Sequence, residues 1–318
     1  MLRQFANRIL NSLARRTGDY DLARLQPAQS APTPPDQPSS LPSQDGWGAY
    51  GIALEYPTSS NNSPRWGGFA ASHAELSRLM EGAGESQQDV LKKIIEVSRC
   101  CHSVAETLEE SDPEPRWRNP MMAGLDACTI GAFLSSNPSL YLEIGSGHST
   151  KFARHFIRKL GLRTKLVSVD PNPRSGCDQL CDEIIRSPLE DVELRLFERL
   201  QPGDILFIDG SHRCFMNSDV TVFFVDILPR LSPGVITGVH DIFIPDDYPA
   251  EWKLRYYNEQ YLLATHLLGA RDRIQVLFGA YFQCKSEDSR EALAEARTLN
   301  GCPPDTFHGC GFWFTHRD

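Results

Sequence analysis

Residues 140–150 read Leu-Tyr-Leu-Glu-Ile-Gly-Ser-Gly-His-Ser-Thr, and residues 165–172 read Lys-Leu-Val-Ser-Val-Asp-Pro-Asn. Each stretch contains an apolar run of strand length, so we predict a buried strand in each. A helix beginning near Ser149 or Thr150 is predicted between them, because apolar residues recur there at helical spacing. These residues are Phe152, Phe156, Ile157 and Leu160. The pattern predicts a βαβ unit whose second strand ends in an acid, Asp170.

The turn between strand and helix has the composition of a ligand site. Gly145 and Gly147 carry no Cβ, so a ligand can approach the backbone, and the following helix begins with unpaired N–H groups. Asp170 could accept two hydrogen bonds from a ribose diol. We therefore expect a cofactor that carries a nucleoside. A dinucleotide fingerprint needs a third glycine where this chain has Thr150, so NAD is the weaker alternative.

A carboxylate precedes the turn, because Glu143 lies two residues before Gly145. A negative charge at this position would attract an ammonium group and repel a pyrophosphate. The arrangement favours S-adenosylmethionine, whose methionyl end carries an amine.

Three motifs together resemble those of one enzyme family. They read Glu-Ile-Gly-Ser-Gly-x-Ser-Thr at 143–150, Phe-Ile-Asp-Gly-Ser-His at 207–212 and His-Asp-Ile-Phe at 240–243. This combination is similar to the class I S-adenosylmethionine-dependent methyltransferases of the bacterial small-molecule branch, over roughly residues 117–315. The resemblance implies an α/β, Rossmann-like fold: a seven-stranded, mostly parallel sheet with helices on both faces, preceded here by an N-terminal helical extension.

Composition divides the chain into four predicted regions. Residues 1–20 form a basic amphipathic helix that could dock on a partner, lie on a membrane surface, act as a transit peptide or pack within the protein. Residues 21–65 are a Pro/Ser-rich linker. Residues 66–115 form a helical cap or oligomerisation region, through which the chain could form a homo-oligomer. Residues 116–318 form the S-adenosylmethionine-binding domain.

Apolar periodicity and turn signals predict the remaining elements. A helix containing Cys177 and Cys181 is expected after Asp170. The other predicted helices lie at 119–134, 191–200, 218–228 and 252–268, with two more within 73–110 broken near 81–84. The other predicted strands lie at 183–186, 204–209, 235–239, 274–278 and 312–315, the last two as an antiparallel pair.

Four titratable side chains follow two strands of the predicted sheet. Asp209 and His212 follow the strand at 204–209, and His240 and Asp241 follow the strand at 235–239. Ligands of an open parallel sheet bind outside the carboxyl ends of its strands, so all four should face the crevice beside the glycine turn. We predict them to be catalytic. The imidazole of His212 or His240 could serve as a general base, because its unperturbed pKa lies near working pH.

The resemblance also implies a divalent metal at this edge, held by Asp209, His240 and Asp241. The pair after the fifth strand reads His-Asp here, where many enzymes of this branch have two acids. Mg²⁺ prefers oxygen ligands, so His240 suits Mn²⁺, Fe²⁺ or Zn²⁺ better. A metal-dependent and a metal-free reaction both stay open.

The cofactor contacts that we predict lie at the ends of the first strands. Glu143 would orient the amino-acid end of the cofactor, the glycine turn would hold it, and Asp170 would bind the ribose. By resemblance, position 189 touches the adenine ring, and Asn119, Met121 and Asp126 lie in a segment over the cofactor. The predicted residues are Glu143, Gly145, Ser146, Gly147, Ser149, Asp170, Pro171, Leu189 and Asp209.

Composition restricts the function classes. A formal charge of −9 and a pI near 5.5 argue against a nucleic-acid-binding protein. No apolar run reaches the length of a membrane span and no secretory signal is visible, so a cytoplasmic protein is expected. The nine cysteines are scattered and include no Cys-x-x-Cys pair. Cys177 and Cys181 could hold a metal at their helical spacing, although reduced buried thiols are the simpler expectation.

These observations predict methyl transfer to an oxygen, or less readily a nitrogen, of a small molecule. Polar aromatic side chains in the segment 252–268 suit a sugar or phenol acceptor. Two alternatives stay open: a metal-dependent, hydroxylase-like enzyme on a related fold, and a non-catalytic scaffold that binds a nucleoside.

Overall fold

The computed structural model describes residues 63–68, 70–173 and 176–317. The predicted amphipathic helix at 1–20 and nearly all of the predicted linker at 21–65 lie outside these ranges. Within them, no helix combines the length and apolar character that crossing a membrane requires.

A seven-stranded sheet forms the centre of the described chain. Its strand order is β3-β2-β1-β4-β5-β7-β6. The first five strands in sequence pair in parallel, whereas β7 runs antiparallel to both β5 and β6. The predicted α/β fold with a mostly parallel sheet and an antiparallel final pair is therefore confirmed. The strands are β1 (Leu140–Ile144), β2 (Lys165–Val169), β3 (Glu183–Ile185), β4 (Ile205–Ile208), β5 (Ile236–Val239), β6 (Ile274–Gly279) and β7 (Phe312–His316).

The helices of the described ranges lie before, between and after these strands. The pair α1 and α2 is interrupted only at Ala83, as the Gly-rich sequence there predicts. The helices are α1 (Ala74–Gly82), α2 (Gly84–Ser98), α3 (Gly124–Leu134), α4 (His148–Lys159), α5 (Asp219–Val222), α6 (Glu259–Gly269), α7 (Ala280–Lys285) and α8 (Arg290–Asn300).

Alternate residues of β4 belong to two separate apolar cores, as expected for a strand buried on both faces. Leu206 and Ile208 pack in the first core, together with side chains of α1 and α6. Ile205 and Phe207 pack in the second core, together with side chains of α2, α3 and α4. Both faces of the sheet are therefore covered by helices, as predicted.

Several predicted helices are shorter or more irregular than their periodicity suggested. In place of the helix predicted at 191–200 there are two 3₁₀ segments, Leu189–Asp191 and Leu194–Arg199, because the backbone is extended at Val192 and Glu193 between them. Residues after Asp170 form only the 3₁₀ turn Cys177–Leu180.

The helix predicted at 252–268 begins only at Glu259. A 3₁₀ segment, Ala250–Arg255, precedes it, and Tyr256 adopts a left-handed conformation that ends this segment. The helix predicted from residue 119 starts at Gly124, because the Asn119 side chain instead bonds the backbone of a loop that includes Met122. After α5, a wider π-helical turn at Phe223–Ile227 continues the predicted helix.

Candidate active site at the carboxyl edge of the sheet

The glycine turn joins β1 to α4 and touches the end of β4. Gly145 has a φ of 82°, and a Cβ built on it would overlap the carbonyl oxygen of Asp209. The Asp209 N–H donates to the carbonyl of Ile144 at 2.9 Å, which holds the two strand ends together. Gly147 has extended backbone, and no atom lies within 4 Å of a Cβ built there. Gly145 is thus required by chain packing, whereas Gly147 borders open space.

Asp170 fastens the same turn to the end of β2. Its Oδ2 accepts hydrogen bonds from the N–H of Ser146 at 2.7 Å and from its hydroxyl at 2.9 Å. Its Oδ1 accepts from the N–H of Asn172 at 2.7 Å. Asp170 stays partly exposed and Pro171 is exposed, so a ligand can reach both. Ribose binding by Asp170 stays a prediction.

Glu143 is fully buried below the first turn of α4. Its carboxylate accepts hydrogen bonds from the hydroxyls of Ser149 and Thr150, the latter at 2.6 Å. Burial raises the pKa of Glu143 to about 8, although both hydroxyl donors act in the opposite direction. One hydroxyl thus occupies each oxygen of this carboxylate, and the predicted role of Glu143 in orienting the cofactor stays a prediction. Leu189 is buried in the first core.

The four residues predicted to be catalytic converge at the ends of β4 and β5. Oδ1 of Asp209 lies 3.5 Å from Nε2 of His212 and 3.5 Å from Nδ1 of His240. Asp241 spans the same two rings, with Oδ2 3.5 Å from Nε2 of His212 and Oδ1 3.5 Å from Nδ1 of His240. We call Asp209, His212, His240 and Asp241 the edge cluster. The sequence predicted this proximity, and the catalytic roles stay predictions.

A residue that the sequence analysis missed contacts the far side of the His212 ring. Oε1 of Glu259, at the start of α6, lies 2.5 Å from Nδ1 of His212, and both side chains are buried. Burial alone would lower the pKa of His212, but the charges of Glu259, Asp241 and Asp209 outweigh it and raise the pKa to about 9. Glu259 was not among the predicted site residues, because 47 residues separate it from His212 and no local pattern links the two.

His240 also has partners on both sides of its ring. Its Nε2 lies 3.3 Å from Oδ2 of Asp126, which belongs to α3. Burial alone would lower the pKa of His240, but neighbouring Cys310, Asp209 and Asp241 outweigh burial and raise it well above its ordinary value. The resemblance placed Asp126 in a segment over the cofactor. The structure places its side chain beside His240.

Aromatic side chains lie beside His212. The ring of Tyr257 lies 4.5 Å from that of His212, and Trp252 lies 5.6 Å from Tyr257. The guanidinium groups of Arg213 and Arg255 lie 5.0 Å and 5.6 Å from the Tyr257 ring. This aromatic wall, formed by Tyr257 and Trp252, stands next to the edge cluster with two cations beside it.

The predicted metal site brings two carboxylate oxygens close to one imidazole nitrogen. Oδ1 of Asp209 and Oδ1 of Asp241 each lie 3.5 Å from Nδ1 of His240. Neighbouring ligands of one divalent ion stand about 3.0–3.5 Å apart for bond lengths near 2.1 Å. These two separations match that spacing, and a divalent ion at this set stays a prediction.

The cysteines are free thiols, and all nine lie in the described ranges. The Cys177 thiol donates to the carbonyl of Gly147 at 3.2 Å, and the Cys181 thiol to the carbonyl of Cys177 at 3.5 Å. These contacts give each thiol a backbone partner. A metal at this pair gains no support from them.

A sequence profile described as "Methyltransferase domain" matches residues 142–242. The match covers about a third of the chain and includes the glycine turn and the whole edge cluster. Together with the strand order, it supports a class I S-adenosylmethionine-dependent methyltransferase domain. No curated protein matches this sequence.

Solved structures similar to this chain include three methyltransferases. SAH-bound PaMTH1 from Podospora anserina shares 16% identity over 80% of this chain and 100% of its own, with a TM-score of 0.39. The plantazolicin methyltransferase BpumL with SAH shares 15% identity over 59% of this chain and 82% of its own, with a TM-score of 0.38. An O-methyltransferase from Bacillus cereus with SAH shares 15% identity over 72% of this chain and 90% of its own, with a TM-score of 0.37. These values are too low to transfer ligands or reactions to this chain.

Proposed function

We propose that this protein transfers the methyl group of S-adenosylmethionine to a hydroxyl oxygen of a small molecule. The observation that carries the proposal is the edge cluster, in which two carboxylates and two imidazoles converge beside the glycine turn. The profile match to a methyltransferase domain over the same residues supports this reaction class.

The cofactor would supply an electrophilic methyl group, so the protein has to align the acceptor and remove its proton. Open space beside Gly147 would admit the amino-acid end of the cofactor, and the exposed part of Asp170 would meet the ribose. The turn that carries Leu189 would lie beside the adenine, with the Leu189 side chain itself packed in the first core. Glu143 would fix the first turn of α4 through Ser149 and so shape the pocket for the amino-acid end.

Proton removal would fall to His212 in its neutral form. Glu259 would accept a hydrogen bond from Nδ1–H, which leaves the lone pair on Nε2, toward Asp209 and Asp241. An acceptor hydroxyl between these groups would donate its proton to Nε2. Because the pKa of His212 is about 9, the neutral fraction grows with pH, and activity should rise up to about that pH.

The surroundings of His212 favour a sugar or phenol as acceptor. The faces of Tyr257 and Trp252 offer stacking for a planar or ring-shaped molecule. Arg213 and Arg255 would bind polar substituents of the same molecule.

Cofactor choice and reaction can be tested in sequence. Calorimetric titration with S-adenosylhomocysteine (SAH) and with NAD should show binding of SAH alone. A screen of phenols and sugars with S-adenosylmethionine should then yield products heavier by about one CH₂. A gain of one oxygen would instead indicate the hydroxylase-like alternative, and cofactor binding without any product would indicate a scaffold.

Variants of the edge cluster test the assigned residues. Asp209→Asn and His240→Ala should abolish turnover and leave SAH affinity within a few-fold, because they alter the acceptor side of the crevice. Asp191→Asn, at an exposed site outside the cluster, is the matched control and should keep full turnover. Unchanged turnover in Asp209→Asn and His240→Ala would discard the assignment.

A further inference from the structure

A second donor set lies against Nε2 of His240, whereas the edge cluster faces Nδ1 of the same ring. Nε2 lies 3.3 Å from Oδ2 of Asp126 and 3.9 Å from Sγ of Cys310, and Sγ lies 3.8 Å from Oδ2. Asp126 and His240 are buried and Cys310 is partly buried. We propose that Asp126, His240 and Cys310 form a binding site for zinc or another borderline divalent metal ion.

The three separations suit a metal better than a set of hydrogen bonds. An N–H···O hydrogen bond normally spans about 2.7–3.2 Å, so the contact between His240 and Asp126 is long for one. In a tetrahedral zinc site with bond lengths of about 2.0–2.3 Å, nitrogen and oxygen ligands stand about 3.3–3.5 Å apart, and sulfur stands about 3.5–3.7 Å from either. The observed distances match these edges to within about 0.4 Å.

The ligand types select the kind of ion. One imidazole nitrogen, one carboxylate oxygen and one thiolate sulfur form a mixed set that suits Zn²⁺ and is poor for Mg²⁺. The carboxylate is also held in place, since its oxygens accept the N–H groups of Cys310 at 2.9 Å and Gly311 at 2.8 Å. Hydrogen bonds of this kind orient the carboxylate ligands of metal sites. Oδ1 of Asp241, 3.3 Å from Sγ, is a further oxygen beside the site.

An ion here would connect three distant parts of the chain. Asp126 lies in α3, His240 follows β5, and Cys310 precedes β7. Coordination through Nε2 would leave the ring proton of His240 on Nδ1, which faces Asp209 and Asp241. The site differs from the metal site predicted at Asp209, His240 and Asp241, because it uses the opposite nitrogen of the His240 ring.

Cobalt(II) binding to the full chain distinguishes the two sides of the ring. After removal of bound metal with a chelator, titration with Co²⁺ should bind one equivalent and produce the near-ultraviolet absorption band of a cobalt–thiolate bond. Zn²⁺ should displace it. Cys310→Ser should lose this band and bind zinc at least about tenfold more weakly. Cys100→Ser, the control for a thiol elsewhere, and Asp209→Asn should keep both the band and the affinity.

Two results would overturn the inference. One is cobalt binding that shows no thiolate band and that disappears in Asp209→Asn, since this result would put the ion on the Nδ1 side of the His240 ring. The other is absence of zinc binding by the folded protein at micromolar concentration. X-ray absorption of the zinc-loaded wild-type chain needs no variant: one sulfur at about 2.3 Å is expected, and a shell of nitrogen and oxygen alone would refute the site.

Discussion

Replacing Gly145 by alanine should destabilise the fold strongly. The residue would have to adopt a φ of 82°, which costs a non-glycine residue about 1–2 kcal/mol. Its new Cβ would also overlap the Asp209 carbonyl oxygen, and overpacking of this kind typically costs about 1–3 kcal/mol. We expect Gly145→Ala to lower the free energy of unfolding by about 2–5 kcal/mol, which for a domain of this size lowers Tm by roughly 4–20 °C.

Gly147→Ala is the matched control two residues away. Its backbone is extended and nothing lies within 4 Å of the added Cβ, so stability should stay within about 1 kcal/mol of wild type. If the cofactor occupies that space, SAH affinity should nevertheless fall by about tenfold or more, equivalent to about 1.4 kcal/mol. Thermal unfolding followed by circular dichroism, with calorimetric SAH titration, measures both quantities. A Gly145→Ala protein that melts with wild type would refute the reasoning from the contact between strand ends.

Three further predictions concern titration and packing. Glu259→Gln removes a negative neighbour of His212, so the pKa of His212 should fall and the rise of kcat/KM with pH should move to lower pH; an unmoved profile would argue against this pairing. Because the folded-state pKa of His212 is raised to about 9, its contribution to stability is present below about pH 6.5 and lost as pH rises through 9. Denaturant unfolding at pH 6 and pH 9 should therefore differ less in His212→Gln than in wild type. Gly131→Ala would push its Cβ within 2.5–2.7 Å of the Phe156 ring, so it should destabilise the α3–α4 contact, and Phe156→Leu in the same chain should recover part of that loss in a double-mutant cycle.

Only part of the edge cluster's surroundings could be predicted from local sequence patterns. Asp209 and His240 each follow an apolar strand, and the ends of adjacent parallel strands share one side of a sheet. Their convergence could therefore be predicted without coordinates. The contact of Glu259 with His212 and that of Asp126 with His240 could not be predicted. Both acids lie on helices, and local periodicity does not specify how those helices pack.

Helix ends show the same limit. The apolar spacing of α4 placed this helix correctly, since one face of it meets the core, whereas the helix predicted to continue to about residue 110 ends as α2 at Ser98. The segment 252–268 has similar spacing, yet the left-handed Tyr256 divides it, and the backbone N–H of Asn258 bonds to the carbonyl of His212. That contact joins two loops distant in sequence, so its effect on the helix start was invisible to a local pattern.

The local secondary structure of this chain follows from residue spacing, because the apolar face of a helix or strand is set by side chains a few positions apart. Spacing therefore sufficed for the seven strands, for α4 and for the acids and histidines at the strand ends. The charge state of His212, the burial of Glu143 under Ser149 and the approach of Cys310 to His240 depend on desolvation and on contacts between remote segments. Such contacts exist only once the helices have packed on the sheet, so the tertiary structure decides them.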